Sequence, residues 1–416
     1  MSSSFCLCGK PKRACIGRSS QANKPSKIGE IFETVKLDSA LFYSSLGLYV
    51  FSYALGNTNI GVVASRSVLY IRIAMQVVAL VFLLGKLILK NYSKVEFVIL
   101  CIGLALMLVC YVKTGGDLMP FVWTLLFIFG AKGEDIKVAA TVFLATQVTV
   151  LVLTAVGSHF GFIPDVVWID NGVELKSSLG FNHPNVLGVT LFAIAVSFAI
   201  MRDGSSKIFD ITVYIIIAFL LFRVARARTS EIGFIALIIL LILNQSRVNK
   251  KKLLIVCSLM FCIIVVVSIA IMLLYDPNNA LMSKFNSLLS RRFYYWNLYA
   301  SSYPPTLFGR DFNELPIVMT VYLQTSIIFM VDNAYCYTLL HLGILPFLFL
   351  SSLVVMTLFK CIKTGRCDMS VLAFVAFLVF GFSESHTFWI GMNVSLLVIS
   401  RCFDSVKAYQ SVVLGE

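Results

Sequence analysis

The chain has 416 residues, 59% of them hydrophobic and 13% charged, with a mean hydropathy of +0.89. A soluble domain carries about a quarter charged residues, so a soluble protein is excluded and the chain reads as an integral membrane protein. No run alternates apolar and polar residues as a membrane β-barrel strand must. The net charge of +13 is distributed among alternate loops rather than gathered into a nucleic-acid footprint.

Residues 1–37 are polar and basic, with seven Lys or Arg from Lys10 to Lys36, and predict a cytoplasmic tail. No apolar stretch follows closely enough for a cleaved secretory signal, and the first one, near Ser39, reads as a retained helix. Segments suited to crossing a hydrocarbon core of about 30 Å follow at about 39–57, 68–85, 95–112, 118–131, 138–157, 185–201, 208–225, 229–245, 253–275, 327–359, 369–384 and 387–403. The fourth is short, and the tenth is long enough for its first turn to stand in the outer headgroup layer. The expected fold is all-α: a polytopic integral membrane helical bundle of about 12 transmembrane helices.

Alternate loops collect 23 of the 34 Lys and Arg residues. By the positive-inside bias, both termini lie in the cytoplasm, with a transmembrane domain at 38–405 and a second tail at 406–416. Two outward connections are long, about 158–184 and 276–326, and long polar loops at one face can fold over a site. The 11 cysteines avoid both of them. Most sit in apolar segments as small buried hydrophobes, and for Cys6, Cys8 and Cys15 in the basic tail a metal site is the lesser reading.

Outward cations need a reason, because charge at bilayer depth is costly unless paired or wetted. Arg223, Arg226 and Arg228 fall at a helix-to-helix turn and read either as interfacial snorkelling or as an anion site; arginine suits phosphate because its fork donates two charge-assisted bonds. Arg291 and Arg292 stand beside Phe293, Tyr294, Tyr295 and Trp296, which reads as an amphipathic interfacial helix, as a sugar-stacking platform, or as both. In the first long loop, Ser178-Leu179-Gly180-Phe181-Asn182-His183-Pro184-Asn185 precedes a span. Asn182 and Asn185 suit a helix cap, and a helix N-terminus attracts anions. Asp332-Asn333 heads the tenth segment.

Four features together resemble the Wzy-type O-antigen and capsular polysaccharide polymerases and the related O-antigen ligases. They are the Ser178 to Asn185 motif; the Arg226-Ala227-Arg228-Thr229-Ser230 turn; Arg292 followed by Trp296 and Leu307-Phe308-Gly309; and Asp332-Asn333-Ala334-Tyr335 leading to Leu342-Gly343-Ile344. The similarity covers roughly residues 40–403. Ligases and some polymerases carry a histidine-asparagine pair where this chain has Asp332-Asn333, with His341 further along. Gly309 is followed by Arg310 and Asp311 where many relatives have a second glycine. These departures favour polymerase over ligase.

The resemblance implies a GT-C-like membrane glycosyltransferase, independent of metal and of any cofactor. It joins oligosaccharide repeat units carried on undecaprenyl pyrophosphate at the outer face of the bacterial cytoplasmic membrane, for O-antigen, capsule or exopolysaccharide. A chain-length regulator and a flippase are the protein partners that such a reaction implies. Pyrophosphate leaves readily, so stabilising its charge is the main electrostatic task, assigned to Arg226, Arg228 and Arg292 with Arg291 or Arg310 in reserve. The acceptor hydroxyl needs a proton acceptor: Asp332 first, His183 second, Glu174 and Glu384 behind them. Asn182, Asn185, Asn333 and Trp296 complete the expected substrate-binding set. Glu384 and His386 also read as a helix-end pair. An O-antigen ligase and a lipid-linked oligosaccharide flippase are the alternatives; for the flippase, polar features near mid-membrane in paired halves are expected, whereas the charges here gather at one face.

Overall fold

The computed structural model describes residues 37–114, 119–170, 174–311 and 331–403. The expected tails at 1–37 and 406–416 lie outside these residues apart from Leu37, as does the 312–326 part of the second long loop.

Helices run back and forth between two ends of a bundle. In chain order they are α1 (Leu37–Gly56), α2 (Ser65–Leu89), α3 (Lys94–Lys113), α4 (Met119–Gly130) and α5 (Ile136–His159). A two-stranded antiparallel hairpin follows, β1 (Val167–Asp170) with β2 (Glu174–Ser177), in register Val167 to Ser177. Next come α6 (Pro184–Met201), α7 (Ile208–Phe219) prolonged by a π turn to Ala225, α8 (Arg228–Gln245) and α9 (Lys250–Leu274). The second long loop contains α10 (Ala280–Leu288) and α11 (Arg292–Ser302). The single turn α12 (Ala334–Tyr337) continues as a π turn to Leu342, and α13 (Ile344–Thr364), α14 (Met369–Phe380) and 3₁₀ turns at Ser385–Phe388 and Val394–Phe403 complete the bundle.

Eight helices among the described residues, α2, α3, α5, α6, α7 with its π turn, α8, α9 and α13, are long and apolar enough to cross a membrane. The remaining segments of the expected twelve fall short of that measure. α4, α14 and Val394–Phe403 are shorter apolar helices, and four serines and three tyrosines lower the hydropathy of α1. The tenth expected span is also corrected. Gly343, at φ +97°, breaks it, so the long helix starts at Ile344 rather than about 327.

A helix hydrophobic all round is a buried helix, and α6 and α14 follow that rule: 83% of α6 is buried, and of α14 only Val379 is not. By contrast α2, α3 and α9 expose long rows of Val, Leu and Ile, as a lipid-facing surface must. Small residues let the inner helices cross closely. Gly188 of α6 packs on Ala227 and Ser230, and Gly233 of α8 packs on Phe192 and Phe380. These crossings carry the start of α8 to the start of α6.

The two ends differ. At one end, ion pairs tie the short loops: Lys86 with Asp38 (2.9 Å) and Glu134, Lys132 with Glu96 (2.6 Å), Lys137 with Asp203 (2.8 Å), Arg202 with Asp210 (2.7 Å) and Arg401 with Asp368 (2.8 Å). The long loops, the α7–α8 turn, α12 and the segment after α14 gather at the other end.

Candidate functional site

The site is built at that second end. After α10, Ser290 and Arg291 both take left-handed backbone (φ +54° and +63°), which turns the chain sharply into α11. Asn286 holds the turn: its carbonyl accepts from the Arg291 N–H at 2.7 Å and its side-chain oxygen from the Tyr294 N–H at 3.0 Å. The next residue, Arg292, is thereby aimed into the bundle. One guanidinium nitrogen lies 3.0 Å from the Asp332 carboxylate and another donates to the carbonyl of Ser383.

Asp332 is held from its other side by Asn333, which uses all its hydrogen-bonding capacity. Its side-chain oxygen caps α12 by accepting from the N–H groups of Tyr335 and Cys336, both at 2.9 Å. Its amide donates to the Ser268 hydroxyl of α9 at 3.0 Å and to the Phe382 carbonyl at 2.9 Å. The Ala334 N–H donates to Gly381. The segment before α12 is therefore sewn to the segment after α14.

That second segment carries Glu384, only 3% exposed. One carboxylate oxygen lies 2.9 Å from His386 Nδ1, and the other accepts from the Thr229 hydroxyl on the first turn of α8 at 3.4 Å. His183, at the head of α6, lies within the electrostatic reach of Glu384. Glu384 thus links three separated motifs and shares the Arg292 charge with Asp332.

The charge balance follows. Burial raises the Asp332 carboxyl above its ordinary range, and the Glu384 carboxylate adds to this, against the pull of Arg292 and His386. Burial acts the same way on Glu384, but the His386 hydrogen bond, its charge and Arg292 outweigh it and hold that carboxyl below its ordinary value. His183 is lowered by burial and by Lys176, with Glu384 opposing. One arginine thus serves two carboxylates of opposite tendency, the arrangement expected when like charges share a site.

The glycine motifs meet as backbone. Gly309 (φ +75°) and Gly343 (φ +97°) lie against each other, and a Cβ on Gly309 would overlap the His341 carbonyl. The Ile344 and Leu345 N–H groups donate to the carbonyls of Thr306 (2.9 Å) and Leu307 (3.1 Å). Leu307-Phe308-Gly309 and Leu342-Gly343-Ile344, separate in sequence, form one junction that docks the second long loop on the head of α13.

Several expected binding residues have other work. Trp296 is fully buried against Phe293 and Phe382 (ring centroids 5.2 and 5.7 Å), so it is core and offers no face to a sugar. Asn333 positions Asp332 rather than contacting a ligand. The cap of α6 is His183, whose Nδ1 accepts from the Asn185 N–H at 3.0 Å; Asn182 is exposed, and its backbone N–H bonds Asn57. His341 is buried beside Tyr337. Glu174 lies in β2, with its side chain outside the described residues.

Arg226, Arg228 and Arg291 adjoin the cluster's Thr229 and Arg292 in sequence. Arg226 closes the π turn in left-handed backbone (φ +47°), half-buried, and Arg228 opens α8, exposed. Among the described residues neither makes an ion pair. Arg291 is exposed, and Arg310 lies 5.8 Å from the Tyr303 ring and donates to the Pro304 carbonyl. No three His, Cys, Asp or Glu side chains among the described residues are grouped to hold a metal ion. Thr229, Ser268 and Asn286 were not singled out in the sequence; Glu384-Ser385-His386, a polar triplet between apolar runs, was the available signal for the dyad.

No protein-family model, curated protein or solved structure matches this chain.

Proposed function

We propose that the protein is a polysaccharide polymerase of the outer face of the bacterial cytoplasmic membrane, joining repeat units delivered on undecaprenyl pyrophosphate. The observation that carries this reading is the meeting, at one end of a lipid-facing helical bundle, of Arg292 and Asp332 with the Glu384–His386–Thr229 cluster. It provides a fixed cation for a departing pyrophosphate and carboxylate and imidazole groups for a hydroxyl proton, beside two further arginines that make no ion pair among the described residues. The topology proposed with it is GT-C-like and has twelve passes, the eight spanning helices joined by α1, α4, α14 and Val394–Phe403. Packed inside protein, such shorter passes need not match the bilayer thickness. Both termini then lie in the cytoplasm.

In the proposed reaction the acceptor sugar's hydroxyl oxygen attacks the anomeric carbon of the growing chain. The bond from that carbon to pyrophosphate breaks, and undecaprenyl pyrophosphate leaves with the electron pair. Arg292, Arg226 and Arg228 stabilise the charge that develops, with Arg291 and Arg310 at the rim. Donors fixed in place before reaction are worth most at this step, because they need no reorganisation as the charge appears.

The test is deletion of the gene in its own host, followed by separation of surface and lipid-linked glycans by size. Loss of the polymer ladder with single repeat units left on lipid supports polymerisation. Full-length polymer stranded on its lipid carrier indicates a ligase, and repeat units held on the cytoplasmic side indicate a flippase; either result overturns the proposal.

A further inference from the structure

We propose that His386, oriented by Glu384, accepts the proton of the attacking hydroxyl, and that Asp332 serves as the counter-ion that positions Arg292. This rests on the polymerase reading and deepens it.

The geometry separates the two carboxylates by role. The Asp332 oxygen is engaged by Arg292 at 3.0 Å, and Arg292, whose side chain is 12% exposed, has Asp332 as its acidic partner. Burial raises the Asp332 carboxyl, but its oxygen is occupied by the Arg292 guanidinium, and taking up a proton there would release the arginine it holds in place, so Asp332 is left with the positioning role. Glu384 is too enclosed to meet a sugar itself, but it fixes the ring of His386, whose side chain is 17% exposed. Nδ1 lies 2.9 Å from the Glu384 carboxylate, which can only accept, so Nδ1 carries the donated hydrogen and Nε2 is the nitrogen that can take up a proton. Among the described residues Nε2 has no hydrogen-bond partner.

The surroundings hold the ring still. His386 lies in the 3₁₀ turn Ser385–Phe388, its carbonyl accepting from the Trp389 N–H at 3.1 Å, and its ring meets Trp389 edge-on with centroids 4.5 Å apart. Trp389 is braced in turn by Tyr53, Tyr337 and Phe121. His386 faces Glu384 on its own segment and Asp332 before α12, and its partner Glu384 feels in addition Arg292 of α11 and His183 of α6.

In the step, the hydroxyl proton moves to His386 Nε2 as the hydroxyl oxygen bonds the anomeric carbon. The imidazolium formed is paired with the Glu384 carboxylate, and the pyrophosphate departs toward Arg292. His386 then releases its proton to water before the next turnover. Buried carboxylate, imidazole and incoming hydroxyl lie in series, the general pattern of an oriented base.

The experiment uses the full-length protein in lipid nanodiscs with undecaprenyl-pyrophosphate-linked repeat units, following chain elongation over time. His386→Ala should lower kcat by about 10²–10⁴, the usual range for loss of a general base, with KM within about threefold, and added imidazole should restore at least tenfold of the loss. Glu384→Gln should lower kcat less. Asp332→Asn, which loosens Arg292, should lower kcat by at least about tenfold and show no rescue by imidazole. His386→Gln, which can still hydrogen-bond Glu384, controls for folding: it should stay as heat-stable as the parent and be inactive. Elongation by His386→Ala at the parent rate, or a loss that imidazole does not restore, overturns the assignment while leaving the polymerase reading in place. An unmutated protein that never elongates overturns the polymerase reading and this assignment with it.

Discussion

The guanidinium of Arg292 and the carboxylate of Asp332, forty residues apart in sequence, lie 3.0 Å from each other, and the same arginine donates to the backbone carbonyl of Ser383. One side chain thereby holds α11, the α12 head and the end of α14 together at a single point. Lysine carries the charge but not the fork, so Arg292→Lys should fail to satisfy both partners at once. The expected result is a loss of polymer formation of at least tenfold with normal membrane insertion, read from the glycan ladder alongside protein level. A ladder of unchanged length and amount in Arg292→Lys would remove Arg292 from the reaction.

Arg226 and Arg228 flank the turn that presents Thr229 to Glu384. Charge-assisted hydrogen bonds contribute about 1.5–3 kcal/mol each, so removing both as Arg226→Gln with Arg228→Gln should weaken binding of inorganic pyrophosphate to the purified protein by a hundredfold or more. Calorimetry on the nanodisc-embedded protein checks this. Equal affinity in the parent and the double variant would leave the two arginines as interfacial anchors.

The Gly309–Gly343 junction predicts strict size limits. Both residues hold positive φ, and a Cβ at either would enter the other strand's backbone. Gly343→Ala or Gly309→Ala should therefore cost upward of about 3 kcal/mol, beyond the roughly 1–3 kcal/mol of left-handed strain alone, because the two backbones must also separate. The measurement is thermal unfolding in detergent. Gly365 also has positive φ but opens on free space, so Gly365→Ala should cost less, and the contrast isolates the close contact from the backbone strain.

The loop before α6 should depend on pH through Asp165. Burial acts to raise that carboxyl, but the hydroxyls of Ser177 (2.7 Å) and Ser178 (2.8 Å) and the N–H groups of Ser178 and Gly180 outweigh it and hold it below its ordinary value. A group depressed in the folded state contributes stability that is complete above its unfolded pKa, about 3.9 for aspartate, and is lost as pH falls through the lower folded value. Protection of the Ser178 and Gly180 amides against hydrogen exchange should accordingly be constant near neutrality and fall on acidification below about pH 4. In Asp165→Asn the protection should be weak at every pH, and an unchanged acid dependence in that variant would contradict the assignment.

Much of the architecture was legible because apolar runs end at charged or capping residues. The stretches expected at 138–157 and 229–245 became Ile136–His159 and Arg228–Gln245. Hydropathy could not register the break at Gly343, since a backbone torsion leaves no mark on a run of Leu and Ile. Nor could it separate a buried α6 from an exposed α2. At the site, Arg292, Asp332 and His183 were visible one by one as polar residues out of place. Their pairing was not, because it depends on the crossings at Gly188 and Gly233 and on the Asn333 clamp. The sequence leaves Trp296 open to a sugar-stacking role because an aromatic beside an arginine has the same local sequence whether its ring faces solvent or, as here, Phe382. Glu384 and His386 read as a helix-end pair for the converse reason: two polar residues at a helix junction look like a cap until Thr229 arrives from another helix.

The most direct measurement is elongation by the purified full-length protein in nanodiscs supplied only with undecaprenyl-pyrophosphate-linked repeat units. Mass spectrometry would count both the units on each lipid and the undecaprenyl pyrophosphate released. The account predicts lipids carrying two, three and more units, with one undecaprenyl pyrophosphate freed for each new linkage, and none of either in Arg292→Met. Repeat units that stay single while the protein remains folded, or that lengthen equally in Arg292→Met, would contradict it.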